Sequence, residues 1–456
     1  MTDLNKIENI YFIGIGGIGM SALARYFLLQ GKKVSGYDKT ETTLTKTLAS
    51  EGIPVTYTDD PDFIPKDAQL VVYTPAIPKN HRGLNYYLEH GYDLMKRSEV
   101  LGLITAETLN VCVAGTHGKT TISTMIAHIL RDSGMGSNAF LGGISVNYNT
   151  NFWGNENNIC VVEADEYDRS FLKLHPDIAV ISSMDADHLD IYGTAEAVKE
   201  AFIAFAEKIK SGGTLVKKHG LPIPKSTGNV GQLSYHLTDQ NADLYTENLR
   251  VHSGNYIFDV QGTGGHLKNV QLNVGGRHNV ENALAAIAAC RKLGLGGEKI
   301  IPALQNYKGV RRRFEYHIQN EGLVYLDDYA HHPRELESLI GSARELFPDK
   351  KMIVVFQPHL FSRTRDFAEG FAKALDGADE VILLPVYPAR ELPIQNITSA
   401  TILNKMKKAK SQILNKQEIL AMAKTINANE NILLITAGAG DIDELIDPLT
   451  DLLKTK

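Results

Sequence analysis

The stretch Ala114-Gly115-Thr116-His117-Gly118-Lys119-Thr120-Thr121 carries the strongest structural signal in this chain. An apolar run at 109–113 precedes it, and a helix-like run at 122–130 follows it. A strand, a glycine loop, a lysine, hydroxyl side chains and a helix form the pattern with which proteins bind a triphosphate. The loop is shorter than usual, because Val113 stands where the usual pattern has its first glycine. The stretch therefore predicts a nucleotide-phosphate site between a strand and a helix.

Two side chains of this loop carry the chemistry of that prediction. Lys119 can place a positive charge on the phosphates, and Thr120 can bind Mg²⁺ through its hydroxyl oxygen. The alternative is a helix-capping turn with an exposed lysine. A capping turn explains Gly115 and Thr116 but not the lysine followed by two threonines.

A second glycine loop lies near the start of the chain. The apolar strand 10–13 runs into Gly14-Ile15-Gly16-Gly17-Ile18-Gly19, a helix is expected from Met20 to about Leu29, and a second strand ends at Asp38. This spacing fits a Rossmann dinucleotide site, with the acid about 20 residues after the glycines. The glycine turn by itself indicates only a diphosphate at a helix N-terminus, so any nucleoside diphosphate would fit. A βαβ unit without a ligand is the remaining alternative.

Two consecutive apolar strands after the lysine loop end in acidic residues. The strand 159–162 ends in Glu163-Ala164-Asp165-Glu166, and the strand 178–182 leads to Asp185-Ala186-Asp187-His188. Carboxyl ends of parallel strands meet at one edge of a sheet. Mg²⁺ prefers hard oxygen ligands beside phosphates, so Glu163 is a candidate magnesium ligand and His188 a candidate for a second cation. Solvated acidic loops are the alternative for both clusters.

The second half of the chain changes pattern twice. From about 212 to 274, short alternating runs split by Gly, Asn and Asp predict an antiparallel excursion. A Gly-Gly-Arg-His-Asn cluster at 275–279 then opens an alanine-rich helix. From 323 onwards, four apolar strands alternate with helices, which predicts a mostly parallel sheet. Each strand ends in polar residues, and four such ends together predict one site.

The bulk properties exclude several classes of protein. The 456 residues are 43% hydrophobic and 22% charged with a net charge of -6, and no basic stripe suggests nucleic acid. The three cysteines lie far apart and predict buried free thiols. No apolar run reaches the roughly 20 residues of a membrane span, and no signal-peptide core is visible at the N-terminus. We expect a cytoplasmic protein with no nucleic-acid or membrane partner.

Taken together, the motifs resemble those of the Mur ligases, ATP-dependent enzymes that add amino acids to the UDP-linked peptidoglycan precursor. The resemblance covers nearly the whole chain. Its matching stretches are 14–21, 115–121, 163–171, 185–192, 276–282, 309–314, 327–333, 356–365 and 436–441. The octapeptide Gly14-Ile15-Gly16-Gly17-Ile18-Gly19-Met20-Ser21 is similar to that of the members that add L-alanine first.

The resemblance implies an α/β fold of three domains. These are a Rossmann-like UDP-substrate domain at 1–107, a P-loop-type ATPase domain with a mostly parallel sheet at 108–313, and a Rossmann-like amino-acid domain at 314–456. It implies ATP-dependent ligation of L-alanine to the carboxylate of UDP-N-acetylmuramate through an acyl phosphate, an early step of peptidoglycan synthesis that serves cell shape and division. ATP and Mg²⁺ are the implied cofactors, and a monomer or weak homodimer is expected.

The resemblance also implies roles for individual residues. The implied ATP-binding residues are Gly115, Thr116, His117, Gly118, Lys119, Thr120, Thr121, His278, Asn279, Asn282 and Arg313. The implied UDP-substrate residues are Gly14, Gly16, Gly17, Ile18, Gly19, Met20, Ser21, Thr74 and Ala76. Tyr329, His331, His359 and Arg363 would surround the alanine. The implied metal ligands are Thr120, Glu163 and His188, and the implied catalytic residues are Lys119, His331, His188 and Glu163. In this reading Asp38 loses its ribose role, and Leu360 stands where some alanine-adding relatives have an arginine.

Three other functions remain open at this stage. A related ligase that adds a recycled peptide shares most of these motifs. A nicotinamide-dependent dehydrogenase fits the first glycine loop with Asp38 but leaves the lysine loop unexplained. A non-enzymatic nucleotide switch fits the lysine loop alone.

Overall fold

The computed structural model describes residues 3–225, 228–389, 391–426 and 430–454, without the side chain of Asp190. The chain divides into two compact units. The first unit comprises Met1–Glu247, Asp259–Val270 and Glu281–Asn306. The second unit comprises Asn248–Phe258, Gln271–Val280 and Tyr307–Lys456.

The first unit begins with a five-stranded parallel sheet of order β3-β2-β1-β4-β5. The helix after the first glycine loop starts at Ile18, two residues before the predicted start, because the loop ends at Gly17 in an extended conformation. This strand order around a glycine loop is that of a Rossmann fold, as predicted. The elements are β1 (Asn9–Ile13), α1 (Ile18–Leu29), β2 (Lys33–Tyr37), α2 (Thr43–Ser50), β3 (Val55–Thr56), β4 (Leu70–Tyr73), α3 (Arg82–Glu89), β5 (Leu94–Lys96) and α4 (Arg97–Glu107).

The lysine loop joins the central strand of a second sheet to a helix, as predicted. Strands run in the order β12-β11-β10-β6-β9-β7-β8, and β8 pairs antiparallel with β7 at one edge. The elements are β6 (Leu109–Ala114), α5 (Lys119–Asp132), β7 (Asn138–Ser145), β8 (Thr150–Trp153), β9 (Ile159–Glu163), β10 (Ile178–Ile181), α6 (Leu189–Tyr192), α7 (Ala195–Ala206), β11 (Thr214–Lys218) and β12 (Gly231–His236).

The predicted antiparallel excursion after residue 212 is wrong for its first strands. Strand β11 pairs parallel with β10, and β12 pairs parallel with β11. An alternating pattern reports that one face of a strand is buried, but it does not report the direction of the neighbouring strand. Residues of the next strands are divided between the two units. The remaining elements before the second unit's sheet are β13 (Leu244–His252), β14 (Asn255–Gly262), β15 (Leu267–Leu272), α8 (Arg277–Lys292) and α9 (Gly297–Asn306).

The second unit contains a six-stranded sheet of order β16-β17-β21-β18-β19-β20. Among the strand pairings of the described residues in this sheet, only that of β16 with β17 is antiparallel, so the predicted mostly parallel sheet is confirmed. Its central strands are buried on both faces, which explains their unbroken apolar sequences. The elements are β16 (Glu315–Gln319), β17 (Leu323–Asp328), α10 (Pro333–Leu346), β18 (Lys351–Phe356), α11 (Phe361–Asp366), α12 (Ala368–Leu375), β19 (Glu380–Leu383), α13 (Ala400–Leu403), β20 (Lys410–Ile413), α14 (Lys416–Thr425), β21 (Ile432–Ala437) and α15 (Ile446–Lys454).

Short 3-10 helices complete the described structure, at Leu4–Lys6, Pro61–Phe63, Tyr167–Lys173 and Asp441–Leu445. Within the described ranges, no helix is both long and apolar enough to cross a membrane.

Candidate functional site

Two glycines give the lysine loop its shape. Gly115 has φ 136° and Gly118 has φ 84°, which are backbone conformations that favour glycine. A Cβ on Gly115 would lie 2.1 Å from the hydroxyl oxygen of Ser182, and a Cβ on Gly118 would lie 2.8 Å from Oδ1 of Asn282. The backbone conformation and these close contacts together favour glycine at both positions. The backbone of the loop turns directly into helix α5, whose first residue is Lys119.

The Lys119 ammonium is held at the loop by two acceptors. Nζ donates to the carbonyl oxygen of Gly115 at 2.8 Å and to Oε1 of Glu166 at 2.7 Å. The Glu166 side chain is only 1% exposed, and its Oε2 has no hydrogen-bond partner among the residues that the structure describes. A buried carboxylate needs a compensating cation. Lys119 supplies that charge here.

The first threonine of the loop meets the first acid of strand β9. The Thr120 hydroxyl donates to Oε1 of Glu163 at 3.0 Å, and the Gly142 N–H donates to Oε2 of Glu163 at 2.9 Å. A hydroxyl and a carboxylate are the oxygen donors that Mg²⁺ prefers beside phosphates. In the described part of the chain, no three His, Cys, Asp or Glu side chains are grouped to hold a metal ion. The pair thus fits a cation whose remaining ligands are phosphate or water oxygens.

A serine that sequence reasoning missed anchors the other side of the loop. Ser183 follows β10, and its Oγ lies 2.8 Å from Oγ1 of Thr116 and accepts the His117 N–H at 2.8 Å. The Asp185 N–H donates to Oγ1 of Thr116 at 3.2 Å, and the Asp185 carboxylate lies 3.4 Å from Nε2 of His117. These contacts fix Thr116 and His117 as loop-shaping residues. Thr121 lies buried on the first turn of α5.

His188 lies beside the buried acid Glu166. Its Nε2 is 3.8 Å from Oε1 of Glu166, and its ring packs edge-on against Tyr167 with centroids 5.4 Å apart. The backbone of His188 has φ 51°, an uncommon conformation for a non-glycine residue. Uncommon backbone conformations of this kind concentrate at functional sites. The loop after β10 therefore brings His188 to Glu166, close to Lys119.

The first glycine loop lines a cavity of about 990 Å³. Of the residues predicted for the UDP substrate, this wall contains Gly14, Gly16, Gly17, Ile18, Gly19, Met20, Thr74 and Ala76. Ser21 is fully buried and takes part in a different contact, in which its Oγ donates to the Ile18 carbonyl oxygen and accepts from Nδ2 of Asn151. Glu163 also lines the cavity. The same carboxylate thus contacts Thr120 and faces the cavity of the first glycine loop.

Two charged residues of this cavity have contacts that the sequence did not reveal. Oδ2 of Asp38 accepts the Gly16 N–H at 2.8 Å, so its carboxylate shapes the glycine loop. Arg97 approaches Gly19 so closely that a Cβ there would lie 2.4 Å from its Nη1. Arg97 also lies 3.6 Å from Asp165. A positive group at a glycine loop is a feature of diphosphate sites, but no sequence motif marks Arg97.

The remaining predicted ATP residues are divided between the two units. Asn282 lies in the first unit, on α8, with Oδ1 near the backbone of Gly118. Asn279 lies in the second unit, where its Nδ2 donates to the Gly275 carbonyl oxygen at 2.6 Å. His278 and Arg313 also belong to the second unit. The Asn279 side chain thus ties the first turn of α8 to the glycine that precedes the helix.

Within the second unit, the predicted amino-acid residues form a cluster at the ends of β17 and β18. The Tyr329 and His331 rings lie 5.2 Å apart, and the His331 and His359 rings lie 6.3 Å apart. Nδ1 of His331 lies 2.9 Å from the Tyr329 carbonyl oxygen, which can only accept a hydrogen bond. In the neutral imidazole, Nδ1 therefore carries the proton and Nε2 keeps its lone pair. Nη1 of Arg363 is buried and has no hydrogen-bond partner in the described part of the chain.

Arg312, the middle residue of the three arginines at 311–313, forms a buried ion pair with Asp327 at the end of β17. Nε of Arg312 donates to Oδ2 of Asp327 at 2.9 Å, and the Asp327 side chain is fully buried. The next residue, Asp328, accepts the N–H groups of Phe314 and Ala330, both at 2.7 Å. Desolvation of the Asp328 carboxyl raises its pKa to about 7, against the effect of these two hydrogen bonds. Arg312 and Asp327 hold the strand end in place.

Family models match three consecutive parts of the chain. The Mur ligase family catalytic domain matches residues 9–108, the Mur ligase middle domain matches 113–290, and the Mur ligase glutamate ligase domain matches 312–440. Together these matches cover the first glycine loop, the lysine loop and the strand ends of the second unit.

Named relatives agree with these matches. The UDP-N-acetylmuramate–L-alanine ligase of Flavobacterium johnsoniae is 48% identical over 455 residues, covering 99% of both chains. The crystal structure of UDP-N-acetylmuramate-alanine ligase MurC from Thermotoga maritima has a TM-score of 0.81 at 28% identity and covers 98% of this chain and 99% of its own. A murein peptide ligase from Psychrobacter arcticus has a TM-score of 0.65 at 21% identity, covers 98% of this chain and 99% of its own, and shares the fold. Three matched family domains and a relative of this identity over the full length show that the chain belongs to the Mur ligase family.

Proposed function

We propose that this chain ligates L-alanine to the carboxylate of UDP-N-acetylmuramate at the expense of ATP, an early step in peptidoglycan synthesis. One observation carries the proposal: Glu163 contacts Thr120 of the lysine loop and also lines the cavity of the first glycine loop. A substrate whose diphosphate lies on the first loop can thus extend its carboxylate to a triphosphate on the second. The ligase activity of relatives such as that of Flavobacterium johnsoniae supports the same reaction.

In the first step, a carboxylate oxygen of the UDP-sugar attacks the γ-phosphorus of ATP. The bond from that phosphorus to the β,γ-bridging oxygen breaks, which gives an acyl phosphate and ADP. Such a transfer depends on alignment and charge stabilisation more than on covalent help from the protein. Lys119 stabilises the charge on the β- and γ-phosphates, and the backbone N–H groups of the loop and of α5 orient them.

In the second step, the alanine amine attacks the acyl carbon, and phosphate leaves. The amine must be neutral to attack and must lose a proton as the amide forms. Nε2 of His331 is the candidate acceptor for that proton. The other ring nitrogen, Nδ1, donates its hydrogen to the Tyr329 carbonyl oxygen, so the lone pair on Nε2 stays available. Arg363 is the candidate partner of the alanine carboxylate, since Nη1 is buried and has no partner in the described structure.

The donor set beside the lysine loop fits Mg²⁺. Thr120 and Glu163 would hold one ion, and His188 would approach a second. A bound Mg²⁺ supplies positive charge that neutralises the phosphates as charge develops on them. Oε2 of Glu166 has no hydrogen-bond partner among the described residues, and this carboxylate, close to His188, adds a buried negative oxygen to the same region.

We also propose domain boundaries, an oligomeric state and a cellular location for this chain. We place the domain boundaries at 1–107, 108–313 and 314–456, which the limits of the three family matches support. A monomer or weak homodimer in the cytoplasm is the proposed state. ATP is available there, and the three buried free cysteines fit a reducing compartment.

A single assay distinguishes the proposed reaction from the nearest alternative function, the ligation of a recycled peptide. Phosphate release is measured with UDP-N-acetylmuramate and ATP, while alanine, glycine, serine or the stem tripeptide is offered in turn. We expect release with alanine above all. Release only with the tripeptide would assign the chain to peptide recycling, and release with none of the four would overturn the proposal. NADH turnover provides the test of a dehydrogenase, which the engagement of Asp38 with Gly16 already disfavours.

A further inference from the structure

The turn from β18 into α11 carries His359 and Arg363, two of the four residues predicted to surround the amino acid. Between them, Leu360 has φ 70° and ψ 135°, a backbone conformation that residues with a side chain rarely adopt. Such a conformation persists only where the surrounding structure holds it. The contacts that hold this turn therefore also hold the two side chains.

Tyr387, in the loop after β19, holds the turn on both sides of His359. The Tyr387 N–H donates to the Pro358 carbonyl oxygen at 2.8 Å, and the Leu360 N–H donates to the Tyr387 carbonyl oxygen at 2.9 Å. These two hydrogen bonds form a parallel bridge between His359 and Tyr387, beyond the last paired residues of β18 and β19. The backbone of His359 is thus fixed by the end of the neighbouring strand.

The rings of His359 and Tyr387 are stacked as well. Their centroids lie 5.7 Å apart, with an angle of 20° between the ring planes. The His359 ring also lies 6.3 Å from the ring of His331, the candidate base. Stacking restricts the rotation of the His359 ring, so Tyr387 fixes the orientation that His359 presents to His331.

A glycine after β21 makes room for Tyr387. A Cβ on Gly440 would lie 2.7 Å from Cβ of Tyr387 and 2.4 Å from Oε1 of Gln357. Glycine at this position therefore allows the loops after β19 and β21 to pack against each other. Tyr387 thus connects the ends of three strands, β18, β19 and β21.

Glu391 joins the same loop to the start of α11. Its carboxylate accepts the Ser362 N–H at 3.0 Å, and the Ser362 hydroxyl donates to its other oxygen. The N-cap residue Leu360 makes no side-chain cap, so Glu391 satisfies an N–H that the helix leaves unpaired. The hydrogen bonds from the Ser362 hydroxyl and N–H lower the pKa of the Glu391 carboxyl, so this cap is charged at neutral pH. Arg363 is the next residue of the helix.

We propose that Tyr387 and Glu391 are positioning residues for the amino-acid substrate. Tyr387 orients His359, and Glu391 orients the first turn of α11 with Arg363. Both act on the second chemical step, in which the amine attacks, and not on the transfer of the γ-phosphate. The inference rests on the proposed function for the identity of the substrate, an α-amino acid whose carboxylate meets Arg363.

Three substitutions and one matched control test this role. Tyr387→Leu removes the stacked ring, whereas Tyr387→Phe keeps the ring and removes only the hydroxyl. Glu391→Ala removes both acceptors for Ser362. The control is Tyr86→Leu in the first unit, where the Tyr86 ring stacks on His90 with centroids 4.0 Å apart and the same angle of 20°. Phosphate release gives the KM for alanine, and isotope exchange with ATP follows acyl-phosphate formation.

We expect Tyr387→Leu to raise the KM for alanine by up to about tenfold, the contribution of a stacked aromatic pair. Glu391→Ala should raise it as well. Acyl-phosphate formation and the KM for ATP should stay unchanged in both variants, which a merely structural role would not produce. Tyr387→Phe and Tyr86→Leu should match the wild type. An unchanged KM for alanine in Tyr387→Leu and Glu391→Ala, or an equal fall in acyl-phosphate formation, would overturn the proposal.

A measurement that does not depend on activity separates this proposal from the proposed function. In the NMR spectrum of the full-length chain, the ring current of Tyr387 should shift the carbon-bound protons of the His359 ring upfield. The shift should be lost in Tyr387→Leu and kept in Tyr387→Phe, and equal signals in Tyr387→Leu and the wild type would refute the positioning of His359. A wild type that shows the shift but releases no phosphate with alanine would refute the proposed function instead.

Discussion

Nζ of Lys119 lies 2.7 Å from Oε1 of Glu166, and the two side chains are 16% and 1% exposed. The lysine that should contact the phosphates is thus paired with a buried acid. The Lys119 ammonium also donates a hydrogen bond to the Gly115 carbonyl oxygen, and this second contact keeps it at the loop. The second carboxylate oxygen of Glu166 is left without a partner in the described structure.

Replacement of Lys119 should abolish the first chemical step. In Lys119→Ala the γ-phosphate loses its fixed positive charge, and we expect ADP formation to fall by at least about 100-fold. UDP-substrate binding should be largely intact, because the first glycine loop is formed by other residues. Substrate-dependent ADP release measures the loss of the first step, and calorimetry with UDP measures whether substrate binding is retained. Near-normal turnover would refute the ATP assignment.

Removal of Glu166 should destabilise the free protein more than the nucleotide complex. Glu166→Ala leaves the mostly buried Lys119 without its counter-charge, which costs about 3 kcal/mol. ATP phosphates can replace that charge, so ATP should raise the melting temperature more in this variant than in the wild type. Glu200→Gln, at an exposed acid of α7, is the matched control. Identical ATP shifts in all three proteins would mean that Glu166 does not balance Lys119.

Loss of His331 should slow amide formation more than acyl-phosphate formation. His331→Gln removes the Nε2 lone pair, and we expect alanine-dependent turnover to drop by about 100-fold. Acyl-phosphate formation, followed by isotope exchange with ATP, should drop much less. If both rates fall equally, His331 positions the substrate and does not accept the proton.

Asn151 should be required for the stability of the first unit. It is fully buried, and it donates to the Ile18 carbonyl oxygen and to Ser21 and accepts from Arg25. Asn151→Leu removes one hydrogen bond from each of these three groups, and we expect a loss of about 3 kcal/mol in the free energy of unfolding. Urea unfolding measures it. Asn158→Leu removes one exposed hydrogen bond and should change stability little, so similar midpoints for the two variants would contradict the assignment.

The stability of the second unit should depend on pH through Asp328. Its pKa is about 7 in the folded protein and about 4 in an unfolded chain. Between these values the folded state binds the extra proton, so this group's contribution to stability falls as pH rises from 4 to 7. Asp328→Asn cannot titrate, and the variant should therefore gain stability relative to the wild type over this range. Parallel curves of melting temperature against pH would exclude the effect.

Sequence patterns determined the order of elements and the positions of the loops. Alternation of apolar strands and helices, with glycine turns at fixed positions, was enough to predict the α/β class and the two phosphate-type loops. It also predicted the polar ends of the strands in the second unit. These are local properties, since each follows from the spacing of a few neighbouring residues. The predicted antiparallel pairing of β11 and β12 was wrong, because the direction of a strand depends on its connection to the previous strand and not on the alternation of its residues.

Only the tertiary structure decided which groups meet. Glu166 and Lys119 are 47 residues apart, and Ser183 reaches the lysine loop from the end of another strand. Arg97 and Asp38 approach the first glycine loop without any motif that would mark them. Such contacts join residues that are distant in sequence or depend on side-chain orientation, and packing fixes both.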